Sequence, residues 1–167
     1  SALAISPLDG RYKNRVEALE AYVSEYGLIK YRVLVEVKWL IRLAENPQFK
    51  EIPSFSDEAK ARLLALAENF SAENALEVKT IERTTNHDVK AVEYWIKEQI
   101  KDDAELAASS EFIHFACTSE DINNLSYGLM FKDAINKEII PGLEAIVADL
   151  RGMAHGYASV PMLSRTH

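Results

Sequence analysis

Hydrophobic residues recur along this chain with the period of an α-helix. In the last third, apolar residues are separated by alternating steps of four and three, the spacing of a seam between packed long helices. The stretch 28–43 instead carries apolar residues on several faces, which indicates a helix buried against more than one neighbour. No alternating strand pattern competes, so the sequence predicts an all-α protein. The seam residues are Ile139, Leu143, Ile146, Leu150 and Met153.

Polar residues predict where two of the earlier helices begin. Ser56 is followed by two acidic residues, which favour a helix start, and that helix is predicted to run to about Asn69. Ser71 is predicted to begin the next helix. The segment 46–55 contains two prolines and is predicted to be a loop.

Two further helix starts coincide with polar clusters. The spacing of apolar residues predicts a helix over 88–100, capped by Asn86 or Asp88. Thr118, with Asp121 three residues later, has the form of a capping box for a helix that begins at the next residue. In both places one capping residue would suffice, and several more polar residues surround it.

The composition changes near 102–110, which predicts a boundary between two parts of the chain. Residues 1–107 are predicted to form an N-terminal helical domain of shorter helices. Residues 108–167 are predicted to begin a central bundle of long helices. Because two helices cannot close a bundle, we expect the chain to be a truncated portion of a longer protein.

Charge and apolar content exclude several classes of protein. The longest apolar stretch, 28–43, is interrupted by charged residues, so no membrane span is expected. The start of the chain has no features of a secretory signal, and Cys117 is the single cysteine, so a cytoplasmic location is expected. A net charge of −7 argues against a surface for nucleic acid.

The first polar cluster is DGRY, residues 9–12. A glycine turn presents the Arg11 guanidinium beside the Tyr12 phenol, a pair suited to binding a phosphate. The alternative is an arginine that lies over a turn beside a packed tyrosine, and the residues alone favour that structural explanation.

The second cluster is the run from Thr84 to Asp88 at a helix start. The partial positive charge of a helix N-terminus favours a neutral imidazole at His87. Such a ring could donate one hydrogen bond to a ligand. A capping loop with a surface histidine explains the same residues equally well.

The third cluster follows Thr118, where Ser119 and the free backbone N–H groups of a helix start could form a seat for a carboxylate or an oxyanion. Two asparagines extend this polar face. His114 and Cys117 are more consistent with packing. A nucleophile pair of these two residues stays open, because helical spacing of three permits contact, but no third residue orients it.

In this order, the motifs DGRY, TTNHDVKAVEY, TSEDINN and SRTH resemble those of the adenylosuccinate lyases, in particular the longer bacterial form, within the fumarase and aspartase superfamily. The resemblance covers nearly the whole chain. The motif RTH occurs in several families of this superfamily, and the pattern TSxD is found in fewer of them. NHDVKAVEY is the motif most specific to the adenylosuccinate lyases. Two alternatives remain. One is another superfamily lyase, such as an argininosuccinate lyase. The other is a non-catalytic helical interaction module, which gives no reason for SRTH.

The resemblance implies a β-elimination that breaks a C–N bond. Members of the family release fumarate from adenylosuccinate to leave AMP, and from succinylated aminoimidazole carboxamide ribotide in de novo purine biosynthesis. They require no metal or organic cofactor. They are homotetramers whose active sites draw residues from several subunits.

The resemblance also assigns residues. His167 matches the family histidine that donates a proton to the leaving purine nitrogen. The serine base of the family lies beyond it, so the chain alone is expected to be inactive. The implied substrate-binding residues are Arg11 and Tyr12 for the phosphate, Asn86, His87 and Asp88 in the substrate pocket, and Thr118 and Ser119 for a substrate carboxylate.

Overall fold

The computed structural model describes residues 3–166, and over that range it contains helices, turns and loops with no strand. Short 3₁₀ turns lie at Lys13–Arg15, Glu17–Leu19 and Ser110–Phe112. The all-α prediction is confirmed. The α-helices are α1 (Glu20–Val23), α2 (Glu25–Ala44), α3 (Asp57–Glu68), α4 (Ala72–Thr85), α5 (Asp88–Ile100), α6 (Ala104–Ala107), α7 (Ser119–Ala134) and α8 (Ile140–Gly156).

Helix α2 lies at the centre of the fold and packs against α3, α4, α5 and α7. Its apolar residues are buried on several faces, as their distribution predicted. Burial of this surface is the main force that holds the helices together. Core residues include Val33, Val37 and Leu40 of α2, Leu63 of α3, Val78 of α4, and Val92, Trp95 and Ile96 of α5.

The predicted starts of α3 and α4 are confirmed. The Ser56 hydroxyl accepts the Ala59 N–H at 3.1 Å. The Ser71 hydroxyl accepts the Asn74 N–H at 3.2 Å, and the Asn74 side chain accepts the Ser71 N–H at 3.0 Å. These bonds satisfy backbone donors that have no partner within the helix. The predicted loop at 46–55 is also confirmed.

The predicted cap of α5 was wrong. His87, not Asn86 or Asp88, is the capping residue, and its Nδ1 accepts the Lys90 N–H at 3.2 Å. Asn86 instead ends α4 in a left-handed conformation with φ 50°, which asparagine tolerates better than most residues. The tight turn between α4 and α5 therefore leaves the imidazole as the group that reaches the helix start.

Helices α7 and α8 are joined by a π-helical turn at Ile135–Ile139 and form one helical rod roughly 55 Å long. The first half of the rod packs against α2. The second half exposes its seam, and Leu143 and Leu150 are 58% and 60% exposed. The division of the chain at residue 107 stays a prediction.

Within residues 3–166, no helix is long and apolar enough to cross a lipid bilayer.

We expect the exposed seam of α8 to drive self-association of the 167-residue chain, because contiguous apolar surface of this kind is rarely left in water. The double variant Leu143→Glu, Leu150→Glu should shift the chain towards monomer, whereas Asp149→Ala should leave its association unchanged. Sedimentation velocity over a range of concentrations measures the outcome. A wild-type chain that stays monomeric throughout would contradict the prediction.

Candidate functional site

The N-termini of α5 and α7 meet, and this contact brings the second and third polar clusters together. His87 Nε2 lies 3.4 Å from the Ser119 Oγ. Because Nδ1 of the same ring accepts a backbone N–H, the proton of the neutral imidazole lies on Nε2. That nitrogen can therefore donate a hydrogen bond.

The start of α7 is well suited to an anion. The Thr118 N–H donates to the Asp121 carboxylate at 2.8 Å, as the predicted capping box requires. The first N–H groups of a helix have no partner within that helix, and the helix dipole adds partial positive charge there. Ser119 supplies a hydroxyl in the same turn, so a carboxylate placed here would find several donors.

A buried arginine of α2 connects the two helix starts. Arg32 is 5% exposed. Its Nη2 donates to Asp88 Oδ2 at 2.7 Å, and its Nε donates to Asn123 Oδ1 at 2.9 Å. One guanidinium therefore ties the first residue of α5 to the second turn of α7, and it sets the spacing of the site.

Asp88 was predicted to line the substrate pocket, and in the structure both of its carboxylate oxygens have protein partners. Oδ2 accepts from Arg32, and Oδ1 accepts the Val89 N–H at 2.9 Å. Partial burial acts to raise the pKa of Asp88, but the Arg32 charge and these hydrogen bonds outweigh it and hold the pKa below its ordinary value. Asp88 therefore stays ionised and orients the start of α5.

The rest of the motif NHDVKAVEY is largely explained by packing. Val89 and Val92 are buried. Lys90 Nζ lies 2.9 Å from Glu93 Oε2, and Lys97 Nζ lies 3.3 Å from Glu93 Oε1, so the buried Glu93 carboxylate is paired on both oxygens. The motif thus combines a structural helix with a polar start.

A second buried ionisable side chain of α2 lies under the segment that precedes α7. Glu36 is fully buried, and its Oε1 lies 2.6 Å from His114 Nδ1. Burial raises the pKa of Glu36, while the hydrogen bond with His114 opposes that shift. His114 and Ala116 have φ of 64° and 58°, an unusual backbone for residues other than glycine.

These contacts remove the basis for a nucleophile pair of Cys117 and His114. Both residues lie in a non-helical segment, so helical spacing does not apply to them. The His114 ring is instead engaged by Glu36. Burial raises the pKa of the Cys117 thiol, which disfavours the reactive thiolate.

Arg11 and Tyr12 lie away from the paired helix starts. The guanidinium carbon of Arg11 is 5.3 Å from the centre of the Tyr12 ring, and both residues are exposed. Their neighbours in the N-terminal arm border a groove shared with Ala72, at the opposite end of α4 from His87. A helix of this length places the two ends about 20 Å apart. His167 lies outside the described residues.

The sequence analysis assigned no role to Arg32 or Glu36, although both side chains contact the segments that form the site. No local signal separated them, because α2 also carries Glu25, Lys30, Lys38 and Arg42, and the last two repeat the same spacing of four. The packing of α2 shows that Arg32 and Glu36 are the buried charged residues of this helix, and such residues are seldom buried without a partner.

Comparison with known proteins gives consistent matches. A family model described as "Lyase" matches residues 10–167. The chain is 53% identical over 167 residues to the adenylosuccinate lyase of Escherichia coli strain K12, covering 100% of this chain and 37% of that protein. It is 52% identical over 164 residues to the adenylosuccinate lyase of Haemophilus influenzae, covering 98% of this chain and 36% of that protein. The chain thus spans little more than a third of the length of these relatives.

Proposed function

From the premise that this chain belongs to the lyase family, we propose that it serves the reaction of the adenylosuccinate lyases. In that reaction a base removes a proton from the carbon next to the C–N bond. The C–N bond then breaks, its electron pair goes to nitrogen, and a general acid protonates the leaving nitrogen. The products are fumarate and AMP from adenylosuccinate, or fumarate and the carboxamide ribotide from the second substrate.

The site residues have distinct roles in this proposal. His167 protonates the leaving nitrogen, which suits an imidazole near neutral pH. Thr118 and Ser119 hold a substrate carboxylate at the start of α7, and His87 donates a hydrogen bond beside it. Arg11 and Tyr12 hold the phosphate. Their neighbours in the N-terminal arm border the opposite end of α4 from His87, so Arg11 and Tyr12 would serve the active site of another subunit in a homotetramer.

The observation that carries the proposal is the contact between His87 and Ser119 at 3.4 Å. It joins two of the polar segments by which the sequence resembles these lyases. It also brings a ring N–H and a hydroxyl together beside the first N–H groups of α7. A dicarboxylate product such as fumarate requires a seat of this kind.

The test is a hybrid lyase, in which residues 1–167 replace the matching segment of the Escherichia coli relative. We expect the hybrid to release fumarate from adenylosuccinate at a rate within about tenfold of the parent rate. The 167-residue chain alone should release none, because it lacks the serine base, and loss of one member of a cooperating catalytic set removes most of the rate. A hybrid that assembles like the parent but turns over more than about a thousandfold slower would contradict the proposal.

A matched pair of variants locates the site within the hybrid lyase. Ser119→Ala removes the hydroxyl next to His87 and should lower kcat/KM about tenfold to a hundredfold, the usual loss for one hydrogen bond to a charged group. Ser110→Ala removes a hydroxyl of the same type outside the site and should leave kcat/KM unchanged. Equal effects of the two changes would argue against the proposed seat.

A further inference from the structure

We propose that Glu36 is a positioning residue for the carboxylate seat: through His114 it holds segment 114–118 in the bent form that delivers Thr118 and Ser119. That Thr118 and Ser119 bind a carboxylate rests on the function proposed above. The positioning itself rests on contacts within the described residues.

The segment needs contacts from outside to keep its shape, because its backbone conformation is unfavourable. His114 and Ala116 both adopt a left-handed conformation, with φ of 64° and 58°. Residues with a side chain avoid this region, and they persist there only where surrounding contacts impose it. The segment lies directly before the cap of α7, so its bend sets where that helix begins.

Two contacts with α2 keep the segment in this conformation. Glu36 Oε1 lies 2.6 Å from His114 Nδ1. One turn further along α2, the Trp39 Nε1–H donates to the Phe115 carbonyl at 2.8 Å. Within the segment, the Cys117 N–H donates to the His114 carbonyl at 3.3 Å. The position of His114 therefore determines the position of Cys117, the residue before Thr118.

Glu36 is poorly explained as a packing residue. It is fully buried, and among the described residues its Oε2 has no hydrogen-bond partner. A buried carboxylate with an unsatisfied oxygen is unfavourable, and an apolar side chain would fill the same space at lower cost. The contact that explains a hydrogen-bond acceptor at this position is the contact with His114.

Amide hydrogen exchange on the 167-residue chain tests the proposal without any assay of activity. The reporters are the amides of Cys117, Thr118 and Asp121, and the Leu63 amide in α3 reports the rest of the core. Glu36→Leu should speed exchange at the three reporters about tenfold, as expected when one hydrogen bond that holds them is lost. Exchange at Leu63 should stay within about threefold of wild type.

Three further variants distinguish the loss of the hydrogen bond from the loss of charge and from backbone strain as causes of faster exchange. Glu36→Gln keeps a carbonyl that accepts from His114, so exchange at the reporters should stay near the wild-type rate. His114→Gly removes the ring but adopts φ 64° without strain, and it should still speed exchange at the reporters. Glu77→Gln changes a carboxylate that accepts from Trp95 Nε1 instead, and it should leave the reporters unchanged.

Several outcomes would overturn the proposal. Equal acceleration at Leu63 and at the reporters in Glu36→Leu would make Glu36 an ordinary core residue. Wild-type exchange at the reporters in His114→Gly would mean that the ring holds nothing. If Glu36→Leu fails to fold, His114→Gly alone decides the question.

Kinetics of the hybrid lyase connect positioning to function. Glu36→Leu should raise KM for adenylosuccinate at least tenfold, because a displaced seat binds substrate and transition state less well, while Glu36→Gln should restore it. An inactive wild-type hybrid would refute the proposed function but would leave the exchange result intact. Faster exchange with unchanged kinetics would refute the link between Glu36 and the seat.

Discussion

Replacing His167 by Gln in the hybrid lyase is expected to lower kcat by about 10²- to 10⁴-fold, the usual contribution of general acid catalysis. At 1.36 kcal/mol per decade, this loss corresponds to roughly 3 to 5.5 kcal/mol of barrier. Gln has similar reach and can hydrogen-bond, but it has no transferable proton. Substrate binding should therefore survive, and steady-state kinetics should show a collapse of kcat with a nearly unchanged KM.

Arg11→Ala is the contrasting control. It removes a proposed phosphate contact that is present in both the ground state and the transition state, so it should chiefly raise KM. A His167→Gln enzyme with near-normal kcat and weakened binding would assign His167 to the wrong role. The two variants together separate a proton donor from a binding residue.

The second large effect concerns stability: Asp88→Ala should destabilise the chain more than Arg32→Met, although Arg32 is the more buried partner. The Arg32 side chain is 6% exposed and that of Asp88 is 48% exposed. Removing Asp88 leaves a buried cation without its anion, and we expect a loss of about 2 to 4 kcal/mol. Removing Arg32 leaves a carboxylate that water can solvate, with a loss of at most about 1.5 kcal/mol.

Urea unfolding of the 167-residue chain at pH 7 measures both losses, with Arg62→Met as a control at a more exposed ion pair. A larger loss for Arg32→Met would contradict the prediction. The pH dependence gives a second check. The pKa of Asp88 is lowered in the folded chain from its ordinary value of 3.8. The pair therefore contributes its full stability above that ordinary value, and this stability is lost as pH falls through the lowered pKa. The gap between wild type and Asp88→Ala should therefore shrink below about pH 4.

Local features of the sequence were sufficient for three of the helix starts. Ser56, Ser71 and Thr118 mark helix starts because a short polar side chain satisfies backbone donors within three residues. The seam of α8 could be predicted in the same way, because side chains on one face of a helix recur every three or four positions. These interactions join close neighbours in the chain, so the sequence displays them directly.

The cap of α5 shows where local reasoning ends. Asn86 and Asp88 are better capping residues by type, yet His87 caps the helix. Asn86 is needed in the left-handed conformation that ends α4, and Asp88 is bound to Arg32. The choice among three adjacent polar residues was made by a neighbouring helix and by a residue 56 positions away.

By itself, the sequence determined the helical class, the starts of α3, α4, α5 and α7, and the set of polar motifs that resemble those of the adenylosuccinate lyases. Only the tertiary structure decided which of those motifs meet. His87 reaches Ser119 across 32 positions, Glu36 reaches His114 across 78, and Arg32 reaches Asn123 across 91. Such contacts depend on how α2 packs between α5 and α7. That packing is the result of burial summed over the whole core, and no local pattern of residues records it.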